Sequence, residues 1–233
     1  MPTLYEYALI ADAVYGSDDD ENASQTKLRR LGWTCPPALA VYDQSVTSAI
    51  YAYVTGGTVQ GSLRSSGFQG RAFLKGTEAV AAYKGTRPTQ MSDLTADLRL
   101  ALGYVPTQAK DALKHTVDWV NQLRGKTVTL VGHSLGGAIA QVVGHHTGLH
   151  FVTFNAPGMR DNVQGLSSSQ TRGRRGPAAQ GLNLRSSGWF SPIAGLGTHI
   201  GRVEILEGAA RSHSITVFTD YLRGSPDGRR RPF

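Results

Sequence analysis

Cysteine is nearly absent: Cys35 stands alone among 233 residues. No disulfide can close within the chain, which suits folding in a reducing compartment. Cys35 lies in Trp33-Thr34-Cys35-Pro36-Pro37. Two prolines there forbid the helix N-terminus that would activate a thiol, so it reads as inert. No apolar run reaches the roughly 18 residues a membrane-crossing helix needs. The opening segment has no basic leader and carries Glu6 and Asp12 within its apolar part. That excludes a Sec signal peptide and predicts an amphipathic helix ending near Gly16. No cluster of Cys, His and acidic residues has ligand spacing, so no metal or cofactor is expected. Basic and aromatic residues do not interleave as in nucleic-acid-binding modules, and no nucleic-acid partner is expected.

Acidic residues are the minority charge, 17 against 24 Lys and Arg, for a net charge of +7. Much of the excess falls between Arg160 and Arg185 and in residues 223–233, which read as a flexible basic tail. Such a surface suits an anionic partner, either phospholipid or nucleic acid. The same residues also read as plain solvated charge.

Hydrophobic residues make up 40% of the chain, enough for a buried sheet. One α/β domain over 1–233 is expected. Helical spacing covers 3–15 and 25–31. From Ala38 to Gly85 the pieces AIYAYV, TVQGSL and AVAAYKG, parted by Gly and Ser, read as an antiparallel opening without helix. Beyond Met91 helix and strand alternate. Helices are expected over 92–102 and 107–123, the second begun by Pro106, then over 135–147 and from His213 to Leu222. Strands are expected over 127–131, 150–155, GLNLR and RVEIL, with a long loop over 160–180. This alternation predicts a mostly parallel sheet with helices on both faces.

Gly132-His133-Ser134-Leu135-Gly136 fits G-x-S-x-G. The pattern follows the apolar strand TVTLV at once and runs into the helix-forming LGGAIAQVV, the strand–turn–helix setting that a nucleophile elbow requires. The turn is tight enough that Gly132 and Gly136 must lack side chains, and Gly137 lets the helix pack close. Ser134 is therefore the candidate nucleophile, and the Leu135 N–H, at the helix start, a candidate oxyanion donor. A serine hydroxyl needs a base near neutral pH. This fold delivers its histidine last in the chain, which favours His213, with His199 as runner-up. His133 is read as directed away from the nucleophile.

GHSLGGAIA, FVTFNAPG, AYKGTRPTQMSDLTADL and SHSITVFTDYL together resemble the class 3 lipases, the fungal-lipase-like α/β-hydrolases, over roughly residues 78 to 222. ALIADAVYG resembles the first helix of bacterial members, and the short forms resemble lipase effectors of type VI secretion systems. The resemblance implies the α/β-hydrolase fold, a lipid or phospholipid ester substrate, and Thr86 as second oxyanion contact. It also implies synthesis in the cytoplasm, export by a specialised secretion system, a toxin's role and an immunity protein as partner. The family's acid has no counterpart here. NLRSSGWFSPIAGLGTHIG holds no Asp or Glu, and Gly188 stands at the expected position. Asp161, after the strand HFVTFN, is the best substitute; otherwise a backbone carbonyl, Ser187 or water orients His213. The reading is thus a serine esterase or lipase working through an acyl-enzyme. A thioesterase, a weakened enzyme and a hydrolase-fold binding module stay open as alternatives.

Overall fold

The computed structural model describes residues 1–16, 22–41, 68–85, 94–165, 180–187, 196–209 and 212–233. Its seven strands form one sheet in chain order: β1 (Ala40–Val41), β2 (Gly70–Lys75), β3 (Glu78–Tyr83), β4 (Thr127–His133), β5 (His150–Phe154), β6 (Gly181–Ser186) and β7 (Arg202–Leu206). The first three pair antiparallel and the rest parallel. The expected antiparallel opening and parallel body are both there. Of the pieces read as early strands, AVAAYKG supplies β3, whereas AIYAYV and TVQGSL lie outside the described residues.

Period-two alternation sorts the strand side chains onto two faces. In β3, Ala79, Ala81 and Tyr83 face one core while Val80 and Ala82 face the other. The first core is closed by α3 (Leu94–Gln122) and α4 (Leu135–Thr147). The second is closed by α1 (Leu4–Ala13), α2 (Ala23–Arg30) and α5 (Thr216–Gly224). Helices cover both faces, as the alternation predicts.

Three expectations need correction. α1 is not amphipathic: Leu4, Tyr7, Ala8, Leu9, Ile10, Ala11 and Ala13 are all buried. It is wedged between the sheet, α2, α5 and the C-terminal segment, and only Tyr5 and Asp12 stay partly exposed. Its start follows local rules, since Thr3 and Glu6 form a reciprocal capping box. The two helices expected around Pro106 are one, α3. A proline inside a helix costs about 3 kcal/mol. Burial of Val105 before it and of Ala109, Ala112 and Leu113 after it holds the helix continuous. Finally, 223–233 is not a flexible tail. Pro226–Arg229 is a 3₁₀ turn, and the Leu4 N–H donates to the Arg230 carbonyl at 2.9 Å. Arg230 pairs with Glu204 at 2.9 Å and Asp227 at 3.0 Å. The Phe233 ring stacks on His150 with centroids 4.7 Å apart. The acidic partners sit within the fold, where a count of charge along the chain does not reveal them.

Deleting residues 229–233 should therefore lower Tm by roughly 2–8 °C, on the basis of about 1–2 kcal/mol lost. Differential scanning calorimetry checks this, and an unchanged Tm would show the segment to be idle.

Candidate active site

β4 ends in a turn so tight that Ser134 adopts φ 56° and ψ −128°. A serine rarely holds positive φ, and the strain persists only because the surroundings fix it. A Cβ on Gly132 would collide with the backbone of Gly136, and one on Gly136 with the Tyr83 carbonyl. A Cβ on Gly137 would lie 2.6 Å from that of Ala156. The Ser134 N–H donates to the Phe154 carbonyl at 3.0 Å, which ties the elbow to β5. On the other flank Tyr83 ends β3, its hydroxyl 2.5 Å from Thr116 of α3. Leu135 is the first residue of α4, where first-turn amides lack intrahelical acceptors.

The structure brings Ser134 and His213 together. The His213 Nε2 lies 2.8 Å from the Ser134 Oγ, and both residues are buried. Burial pushes the imidazole down to about 4, so the ring is neutral near pH 7 and its Nε2 accepts from the hydroxyl. His213 does not open the last helix as expected. It precedes Thr216, in a turn held by distant groups.

Two residues that hold this turn escaped the sequence reading. Asn155 sits just after β5 at φ 43°, a left-handed conformation that asparagine tolerates. Its Nδ2 donates to the Ser212 carbonyl at 3.2 Å and to the Ser186 Oγ at 3.1 Å. Its Oδ1 accepts from the Ser186 N–H at 3.0 Å. The available signal was a polar residue followed by Ala-Pro at a strand end. His133 was expected to point away from the nucleophile, yet it serves the base. Its Nε2 lies 2.6 Å from the His213 carbonyl, and the two rings sit 4.9 Å apart. Burial first, and then the neighbouring His213, lower it to about 3.

The remaining candidates are dispersed. The His199 Nε2 donates to the Ala156 carbonyl at 2.9 Å, a structural contact behind β5. Ser187 directs its hydroxyl to the Glu207 carbonyl at 2.8 Å. Asp161 is exposed in the 3₁₀ turn Arg160–Gly165, and no hydrogen bond or ion pair joins it to His213. Thr86 and Gly188 lie outside the described residues, although Gly85, beside Thr86, is packed against the His133 carbonyl and the Gly136 amide. Among the described residues no group of three or more His, Cys, Asp or Glu could hold a metal ion.

A strained serine between strand and helix, with a histidine 2.8 Å from its hydroxyl, suits the candidate roles read from the sequence. Comparison with known proteins agrees in class. A model of the Phospholipase-like family, the Tle-like phospholipase domain, matches residues 6–179. The chain belongs to that family. It is 33% identical over 96 residues to an extracellular phospholipase A1 of Serratia liquefaciens, 41% of this chain and 29% of that protein. It thus spans less than a third of that relative's length. A fungal lipase crystal structure aligns over 88% of this chain and 79% of its own, with TM-score 0.51 and 14% identity, which establishes the shared fold. A triacylglycerol lipase of Penicillium expansum aligns over the same shares with TM-score 0.48 and 14% identity. The resemblance to class 3 lipases is borne out in family and in fold.

The two depressed histidines couple stability to pH. Unfolded, each titrates near 6.5; folded, His213 titrates at about 4 and His133 at about 3. In that window the unfolded chain binds more protons. Stability is therefore full above pH 6.5 and declines as pH falls through the folded values, by about 1.4 kcal/mol per pH unit per group. Tm measured from pH 7 to 4 should fall, and His133→Gln should flatten the slope. A Tm indifferent to pH across that window would contradict the buried neutral pair.

Proposed function

We propose that this protein is a carboxylic ester hydrolase acting on acyl esters of lipids, phospholipids above all, with Ser134 as nucleophile and His213 as general base. The observation that carries the reading is the 2.8 Å contact from His213 Nε2 to a serine held at positive φ between β4 and α4. Ser134 Oγ attacks the ester carbonyl as its proton passes to His213 Nε2. The oxyanion meets the Leu135 N–H, with Thr86 as second donor. Collapse expels the alcohol, which takes the proton from His213. Water, activated by the same nitrogen, then attacks the acyl-enzyme and releases the carboxylic acid and Ser134. Because burial keeps His213 neutral, the base is ready at any pH well above 4. Preorganised amides at the developing charge, removed one at a time, are each worth about 10²–10³ in kcat.

Asp161 is not needed in this scheme. The Asn155 and His133 contacts fix the backbone that carries the imidazole. Membership of the Tle-like phospholipase domain family supports the lipid substrate. An exported toxin's role with an immunity partner is part of the same proposal and rests on the sequence resemblance alone. The net charge of +7 supports action at an anionic membrane surface. No helix among the described residues is long and apolar enough to cross a membrane.

A fluorophosphonate probe should label Ser134, and Ser134→Ala should abolish release of fatty acid from phosphatidylglycerol vesicles. His213→Ala should lower kcat by roughly 10³–10⁴ or more with little change in KM. Asp161→Asn should keep most of the activity. Full turnover by Ser134→Ala would sink the hydrolase reading, and a large loss in Asp161→Asn would restore that carboxylate as the acid.

Vesicle binding should weaken as salt rises. Equal binding to phosphatidylcholine and phosphatidylglycerol vesicles would remove the role given to the basic surface.

A further inference from the structure

We infer that Tyr15 and His133 are positioning residues: a one-way hydrogen-bond chain from the Gly85 amide, through the Tyr15 hydroxyl and the His133 ring, to the His213 carbonyl keeps the base in register with Ser134. The inference rests on the reading of Ser134 and His213 as nucleophile and base.

The direction of the chain follows from donor and acceptor chemistry. The His213 carbonyl can only accept, so the His133 Nε2, 2.6 Å away, carries the proton. Burial holds the His133 ring neutral, so its Nδ1 has no proton and accepts. The group facing Nδ1 is the Tyr15 hydroxyl at 3.3 Å, which donates. The tyrosine oxygen in turn accepts from the Gly85 N–H at 3.2 Å. Each member sets the polarity of the next, and the tautomer of His133 is fixed by its two ends.

The placement joins parts that lie far apart in the chain. Tyr15 follows α1, Gly85 follows β3, His133 ends β4 and His213 precedes α5. A Cβ on Gly85 would lie 2.7 Å from the His133 carbonyl and 3.0 Å from the Tyr15 hydroxyl, so only glycine lets the three meet. Gly85 also neighbours Thr86, the expected oxyanion contact. One chain of hydrogen bonds thus braces the backbone beneath the base and the backbone entering the oxyanion loop. Loss of the tyrosine hydroxyl leaves the His133 ring held only at its Nε2 end, by the His213 carbonyl. With Nδ1 unanchored the ring can shift, and the imidazole it braces loses register with Ser134.

Tyr15→Phe keeps the ring and removes the chain. It should lower kcat roughly five- to tenfold with KM unchanged. His133→Leu should lose at least as much, while His133→Gln, which can still donate toward the His213 carbonyl, should recover most of it. Tyr221→Phe, which loses a hydroxyl bonded to Asp227, outside this chain of hydrogen bonds, should leave kcat unchanged. Nitrogen NMR of the wild-type His133 ring should show the Nε2–H tautomer, and Tyr15→Phe should keep that tautomer while moving the Nδ1 shift toward that of a nitrogen without a hydrogen-bond donor. Wild-type kcat in folded Tyr15→Phe, a His133→Gln as slow as His133→Leu, or an Nδ1–H tautomer in the wild type would overturn the inference. Loss of all hydrolysis in Ser134→Ala alongside an unaffected Tyr15→Phe would overturn the chain alone. Retained hydrolysis in Ser134→Ala would overturn the nucleophile assignment beneath it.

Discussion

The close approach of three backbones at the end of β4 sets the terms for the rest of the molecule. Gly132 lies against Gly136, Gly136 against the Tyr83 carbonyl, and Gly85 against the Gly136 amide. Side chains have no place there. β3 and α4 can therefore converge on one turn, and the turn forces Ser134 into its positive φ. The strain costs of order 1–3 kcal/mol and needs a rigid frame to sustain it. The frame is the parallel pairing of β4 with β3 and β5, both buried beyond their first residues. A hydroxyl thereby stands clear of its own backbone, beside amides that have no helical partner.

The histidine opposite is held differently. No regular element carries it. Asn155 grips the carbonyl of Ser212 and His133 grips that of His213, so two consecutive peptide groups are pinned from β5 and β4. Fixed dipoles of this kind need no reorganisation when charge develops. They also limit how far the imidazole can stray from the serine, a task usually discussed in terms of a carboxylate partner. Here the neutral contacts come from the ends of the same strands that build the elbow. Ser134 and His213 thus share one support.

The elbow was legible because its signals are local. An apolar run, a G-x-S-x-G turn and a helix-forming run adjoin one another, and α4 spans the expected 135–147. His213 was favoured over His199 by the order of elements along the chain, and it is the histidine that meets the Ser134 hydroxyl. What escaped depends on long-range contacts. His133 and His213 are separated by 80 residues, Asn155 and Ser212 by 57. Each side chain meets a backbone carbonyl, and a carbonyl leaves no mark in a sequence. α1 misled for a related reason: its Tyr and Glu positions look half-polar, but Glu6 is occupied by Lys75 at 2.7 Å and by Trp33 at 3.0 Å. The unbroken α3 shows tertiary burial overriding a local breaker. Asp161 was chosen by strand position, and its exposure reflects a turn geometry that residue type did not encode.

The burial of α1 bears on how the chain reaches its native state. Its neighbours are α2, close by in the chain, and β3, β4, β5, α5 and the segment around Arg230, far along it. α2 can cover only part of this helix. The second core therefore closes only when β5 and α5 are in place. Such non-local topologies fold slowly and expose sticky intermediates.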